Sequence, residues 1–234
     1  MLLKESKDSI TSKMLAFPSK DKIEVCIDEA GRGCLMGDVC AAAVIMPCEY
    51  DDDDMLVKLI KDSKKLTPKK RMVLAEYIKK KAIAYGIGIA SAVEIDQHNI
   101  LQATYIAMHR ALDQVLVDKN TMFDHILVDG DKFKDYLSPV VDGYKWSGEW
   151  VPCTTIIDGD NKQLGIAAAS ILAKTHRDNI VDSWVEQNPE WNEKYGFGSN
   201  KGYGTKKHMM GLSEHGALEI HRKSFGPVAR VLRQ

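Results

Sequence analysis

Ile23-Glu-Val-Cys-Ile-Asp-Glu-Ala-Gly-Arg-Gly33 is the stretch on which the fold turns. Apolar residues alternate at Ile23, Val25 and Ile27 as in a half-buried strand, and two acids, Asp28 and Glu29, follow at its end. Adjacent side chains of a regular strand point to opposite faces. Asp28 and Glu29 can therefore serve one site only if the chain leaves strand geometry there, or if one acts through its backbone. Ala30-Gly31-Arg32-Gly33 supplies the departure: its glycines permit positive φ and let the backbone approach a ligand with no Cβ in the way. Gly-Arg-Gly lacks the third glycine and the following helix of a dinucleotide fingerprint. Taken alone, the tripeptide reads as a plain glycine turn.

Working outward, residues 39–46 form an apolar, small-residue run that predicts a second, well-buried strand closed by Pro47. Thr67-Pro68 opens a helix with Val73, Leu74, Tyr77 and Ile78 as its apolar stripe. Lys79 to Lys81 end it, a solvated terminus suited to the helix dipole. Residues 82–93 look like a strand weakened by two glycines. Residues 99–117 predict a helix with Ile100, Tyr105, Met108, Leu112 and Val115 on one side. Short strands follow at 125–128 and 153–157, ending at Asp129-Gly130 and at Asp158-Gly159-Asp160. The helix expected over 164–185 begins so small and apolar that it must pack closely on something. The chain is then glycine-rich over 196–204 and helical from Thr205 until Gly216. Interleaved strands and helices without a repeat predict an α/β fold, a mixed sheet flanked by helices. Residues 23–234 are expected to form one domain, with a helical C-terminal appendage over roughly 190–234. Residues 1–22 are expected to be an N-terminal extension.

A chain of 234 residues can bury a full core. The net charge of −1 means that any affinity for nucleic acid rests on local clusters of Lys and Arg. No apolar run approaches the ~18 residues of a membrane span, and residues 1–20 lack a secretory signal. The five cysteines are odd in number and lack the close pairs of zinc sites, which points to a reducing, cytoplasmic setting. Asp51 to Asp54 read as a solvated loop. His208, His215 and His221 read as surface or core histidines rather than a second metal site.

Three expected strands end in acids: Asp28-Glu29, Asp129, and Asp158 or Asp160. One Asp at a strand end is more often a turn or cap residue than a ligand. Three together, if their strands are neighbours, bring carboxylates to the sheet end where ligands gather in α/β folds. Hard divalent cations such as Mg²⁺ and Mn²⁺ suit such oxygen sets. Two ions about 3.5–4 Å apart can activate a water and stabilise the leaving oxygen of a phosphodiester.

The motifs stand in a recognisable order: Ile27-Asp-Glu-Ala-Gly-Arg-Gly33, Asp62-Ser-Lys-Lys-Leu66, Glu94-Ile-Asp96 with Asn99-Ile-Leu-Gln-Ala-Thr104, and Leu127-Val-Asp-Gly130. Gly159-Asp160, Ile166-Ala-Ala-Ala-Ser-Ile-Leu-Ala-Lys174, Arg177-Asp178, Lys201-Gly-Tyr-Gly-Thr205 and His221-Arg-Lys-Ser-Phe-Gly-Pro227 follow. In this order the chain resembles ribonuclease HII, the type 2 ribonuclease H, in its bacterial form. The resemblance implies a ribonuclease H-like fold and a site of four carboxylates, Asp28, Glu29, Asp129 and Asp160, that binds two Mg²⁺ or Mn²⁺ ions. It places the last acid at Asp160, with Asp158 and Asp131 as bystanders. It also implies that Gly31, Arg32 and Gly33 contact the ribonucleotide at an RNA–DNA junction, while Tyr203 packs on the neighbouring sugar. Lys64, Lys65, Lys174 and Lys201 lie in or beside the motifs and are read as phosphate contacts.

The resemblance further implies hydrolysis of the RNA strand of RNA–DNA hybrids and nicking 5′ to single ribonucleotides in duplex DNA, leaving 3′-OH and 5′-phosphate ends. The cellular role would be ribonucleotide removal or primer clearance, by a monomer with no identifiable protein partner. Two alternatives share the same residues: a junction-binding module that does not cut, and another nuclease of the fold such as a junction resolvase. Cys34 stands where many relatives have proline, Gly37-Asp38 where many have Gly-Pro, and His176 where threonine is common.

Overall fold

The run around Ile27 forms strand β1 (Glu24–Ala30), which continues through both acids instead of ending before them. The reason is its partner: β2 (Val39–Ile45) pairs antiparallel as far as Ala30, with Asp28 opposite Ala42 and Glu29 opposite Ala41. The chain leaves strand geometry only at Gly31, where φ is +96°. This structure is a computed structural model that describes residues 15–51 and 53–233.

Three more strands complete one sheet: β3 (Ala84–Ala90), β4 (His125–Asp129) and β5 (Cys153–Ile156). The order is β3-β2-β1-β4-β5. β1, β4 and β5 are parallel, and β2 is antiparallel to both of its neighbours, β1 and β3. The mixed sheet is the expected one, with helices on both faces. On one side Val25, Ile27, Ala41 and Ala43 pack with Tyr105, Met108 and Leu112 of helix α2 (Ala92–Asp113). On the other, Ala42 and Val44 pack with Leu74 and Ile78 of α1 (Pro68–Lys81) and Ala168 and Leu172 of α3 (Leu164–Gln187). Burying each such Leu or Ile contributes roughly 1.5–3 kcal/mol. Four shorter helices follow: α4 (Pro189–Tyr195), α5 (Phe197–Asn200), α6 (Lys206–His215) and α7 (Gly226–Val231).

Several expectations are corrected. The glycines of β3 are not a weakness, since a Cβ on Gly86 or Gly88 would overlap the carbonyl oxygens of Ala111 and Ala107. Their absence of side chains is what lets α2 lie against the strand. Helix α2 begins at Ala92, capped by Ser91 and Glu94, so residues 92–93 are helix rather than strand. The start expected at Asn99 is a kink: Asn99 has φ +67°, and its Oδ1 accepts from the N–H groups of Leu101 and Gln102. Val73 is exposed, and its expected place in the α1 stripe is taken by buried Arg71, which donates to Asp178 at 2.8 Å. Asp54 is not merely solvated, because it accepts from the Tyr77 hydroxyl at 2.7 Å. Of the N-terminal extension, residues 1–14 lie outside the described residues. Ala16 bridges Gln163 at the start of α3.

His208 and His221 are both fully buried, with their Nε2 atoms 3.1 Å apart. Two protonated imidazoles cannot share that contact. Burial, then the neighbouring His208, pushes His221 down to about 4, and burial lowers His208 as well. A depressed histidine is neutral in the folded chain while the unfolded chain takes up a proton, so stability is present above about pH 6.5 and is lost towards pH 4. For His221 that loss is about 3 kcal/mol. Thermal midpoints across this range should fall for the native protein and fall less steeply for His221→Gln; equal slopes would refute the assignment.

Candidate active site

Parallel pairing of β1 with β4 runs from Glu24 beside His125 to Ile27 beside Val128. The next residues on the two strands are Asp28 and Asp129, which therefore lie side by side on neighbouring strands. The Gly159–Asn161 turn that follows β5 carries Asp160. This turn is fastened to β4, as the Gly159 N–H donates to Asp129 Oδ1 at 2.7 Å. There is no room for a larger residue: a Cβ on Gly159 would stand 2.6 Å from Ile166 Cδ1 and 3.1 Å from Asp129 Oδ1. Asp160 is buried, whereas Asp158 and Asp131 are exposed.

The charge of Asp129 acts on each of the other three acids. Burial raises the Asp28 carboxyl well above its ordinary range, and the charges of Glu29 and Asp129 raise it further. Glu29 is also raised by burial, against the pull of Arg32, whose Nη1 lies 3.1 Å from Glu29 Oε1. Burial lifts Asp160 to about 6, with Asp62 and Asp129 adding to it. Burial opposes the charge of Lys64, yet Asp62, Asp160, Asp28 and Asp129 together hold its ammonium above the ordinary value.

Each acid is turned to a local partner. Asp28 Oδ1 accepts from the Glu29 N–H at 2.7 Å, and Asp160 Oδ1 accepts from Asn161 at 2.8 Å. Among the described residues no three acidic, histidine or cysteine side chains are closed around one point. The donor chemistry nevertheless fits a hard divalent cation. It is an all-oxygen set of like charges, Asp28 and Asp160 buried and Glu29 and Asp129 half-buried, with Lys64 and Arg32 as counter-charges.

Two participants escape the sequence reading. Asp62 is buried, caps the Lys64 N–H at 2.9 Å and helps to raise the Asp160 carboxyl. Ser170 acts against the rise of the Asp28 carboxyl, and its hydroxyl lies 2.9 Å from that of Ser63. Both stand inside the quoted motifs, where the basic pair Lys64-Lys65 and the apolar run of α3 drew the reading elsewhere.

Beyond β1 the loop turns out over Arg177, so that a Cβ on Gly31 would overlap the Arg177 side chain. Arg32 and Gly33 are exposed. A Cβ on Gly33 would stand 3.7 Å from the Tyr203 ring, which is 42% exposed. Cys34 pairs with Tyr203 in an antiparallel bridge, and its thiol faces the Lys201 carbonyl at 3.6 Å, a contact that proline could not make. The Lys174 ammonium lies 5.8 Å from the Tyr203 ring centre and 2.6 Å from Asp178. Lys65 approaches Asn161, whereas the Lys201 ammonium is paired with Asp182 on α3.

The family described as ribonuclease HII matches this chain over residues 25–228. The chain belongs to the ribonuclease HII family. A ribonuclease HII of Bacteroides thetaiotaomicron is 45% identical over 220 residues, covering 91% of this chain and 94% of that protein. The ribonuclease H2 structure from Pyrococcus horikoshii superposes with a TM-score of 0.64 at 21% identity, covering 90% of this chain and 97% of that one. A ribonuclease HIII titled Bst-RNase HIII, in complex with Mn²⁺, gives 0.63 at 19% identity and covers 99% of this chain and 76% of its own. The ribonuclease HII chain thus has the fold of ribonucleases H2 and H3 and is a metal-dependent endoribonuclease. All four carboxylates, the Gly31–Gly33 loop and Tyr203 fall inside the ribonuclease HII match.

Proposed function

We propose that the chain hydrolyses the RNA strand of RNA–DNA hybrids and nicks duplex DNA on the 5′ side of single embedded ribonucleotides, leaving 3′-OH and 5′-phosphate ends. One observation carries this reading. Asp28 and Glu29, which share a site with Asp129, lie near the end of β1, and the glycine loop that faces an exposed tyrosine follows them directly. Two divalent ions held by Asp28, Glu29, Asp129 and Asp160 would activate the attacking water and support the leaving 3′ oxygen.

The chain's own residues do the rest. The Glu29 N–H, the Gly159 N–H and the Asn161 amide orient Asp28, Asp129 and Asp160 respectively. The backbone of Gly31 to Gly33 can approach a 2′-OH, the group by which a protein tells RNA from DNA at one position. Tyr203 offers a flat face to the next sugar. Lys64 and Lys65 flank the acids, while Lys174 and Lys201 must give up Asp178 and Asp182 before they can serve a phosphate. Among the described residues no helix is long and apolar enough to cross a membrane.

The test uses a DNA duplex with one ribonucleotide and an all-DNA control, in Mg²⁺, Mn²⁺ and EDTA. The expected result is a single nick beside the ribonucleotide, in metal only. Binding without a nick would overturn the reading in favour of a junction-binding module. Cleavage of all-DNA branched substrates would overturn it in favour of a resolvase.

A further inference from the structure

Two arginines that take no part in the chemistry lie beneath the loop. Arg177 on α3 is 2% exposed and Arg222, ahead of α7, is fully buried. Among the described residues neither forms an ion pair within 4.0 Å. Their donors go instead to main-chain carbonyls. Arg177 reaches Asp38 (3.1 Å), Met36 (3.2 Å) and Lys201 (2.8 Å). Arg222 reaches Gly37 (2.8 Å), Arg32 (2.9 Å) and Asp38 (3.1 Å).

We infer that Arg177 and Arg222 are specificity-positioning residues, which hold the loop from Gly31 to Asp38 and the loop bearing Tyr203 in one fixed relation, so that ribonucleotide choice depends on them although neither touches substrate. The inference rests on the reading of Gly31–Gly33 as the ribose-facing segment. Arg177 is the joint between the two halves, since it donates to Met36 and Asp38 on one side and to Lys201 on the other. Arg177 meets these carbonyls with three different nitrogens of one rigid plane, whereas a lysine would carry all its donors on a single freely rotating nitrogen. With the Arg32 carbonyl drawn inward, the N–H groups of Arg32 and Gly33 have no protein acceptor among the described residues. They remain available to a ligand.

A role in folding alone would be met more readily by apolar side chains of similar volume, because buried charge carries a desolvation penalty. Here two like charges share one carbonyl, that of Asp38, and burial pulls Arg222 down to about 10, with Arg177 adding to the effect. What the pair provides that apolar packing does not is a defined direction for five peptide oxygens.

The experiment is Arg177→Lys, assayed on the single-ribonucleotide duplex for kcat and KM and on an all-DNA duplex for binding, well below its Tm. The expected result is a kcat reduced about 10- to 100-fold, with KM and all-DNA affinity within about threefold of the native enzyme. Gly202→Ala makes the same test without placing a lysine in the core. Gly202 has φ +87°, and its new methyl would stand 2.7 Å from Met36 Sδ and 3.4 Å from Arg177 Nη2, prising the joint from the loop side. Native kcat in both variants would overturn the inference. So would losses of kcat and all-DNA binding that track the unfolded fraction, the mark of a purely structural role. A native enzyme that nicks no ribonucleotide-containing duplex would overturn the reading of the loop itself, and this inference with it.

Discussion

Replacing Asp28 with asparagine is expected to abolish metal-dependent cleavage and at the same time to stabilise the folded protein. Asp28 is buried, and its carboxyl is raised by burial first and by the charges of Glu29 and Asp129 next. An amide removes that charge while keeping an oxygen for the Glu29 N–H. Loss of a proposed metal ligand should lower kcat/KM by roughly three orders of magnitude or more, since a bound metal supplies several kcal/mol of transition-state stabilisation. Relief of the strained site should add about 1 kcal/mol, the scale on which active-site function is bought with stability. That corresponds to roughly 2–4 °C in Tm for a chain of this size. Nicking assays and calorimetry on Asp28→Asn check both parts. An active variant would refute the assignment of Asp28, and an inactive variant with lowered Tm would refute its electrostatic account.

The largest stability effect is expected at Gly88→Ala, far from the acids. The added Cβ would overlap the Ala107 carbonyl and stand 2.6 Å from Ala111 N and 2.9 Å from Arg110 Cβ. All three belong to α2, whose backbone is held by its own ladder, and β3 is held to β2 over seven paired residues. Helix and strand must therefore separate, opening the packing between them, at about 3–5 kcal/mol. The Tm should fall by roughly 10 °C or more. Gly226→Ala is the matched control: nothing stands within 4 Å of its Cβ and its φ is not in the left-handed region. Comparable losses in the two variants would refute close approach as the cause.

The parts of the fold written in periodicity were legible. β1, β2, β4, β5 and α3 all follow from apolar runs and strand-end acids. The first turns of α2 were not, because Asn99 caps the second half of a kinked helix and so imitates a true start. α4 and α5 escaped because they are short and separated by Gly196, the left-handed residue that ends one and caps the next. Val73 displaced Arg71 in the expected stripe because a charged residue reads as surface. Its partner Asp178 lies 107 residues away.

The site divides similarly. Strand-end acids can be found by inspection, and the family resemblance chose among them. Asp62, Ser170, Arg177 and Arg222 act through partners far along the chain, and no local pattern announces a buried arginine bonded to carbonyls.

The bridge at Ala16 bears on how the protein should be cut for study. The family match begins at residue 25, one residue into β1, and invites trimming to that point. Yet the Ala16 N–H donates to the Lys162 carbonyl, and its own carbonyl accepts from Leu164, 2.8 and 2.9 Å away. Those contacts clasp the hinge between the Asp160 turn and α3. A trimmed clone would keep every acid and lose the clasp, and weak activity from it would reflect the scissors rather than the enzyme.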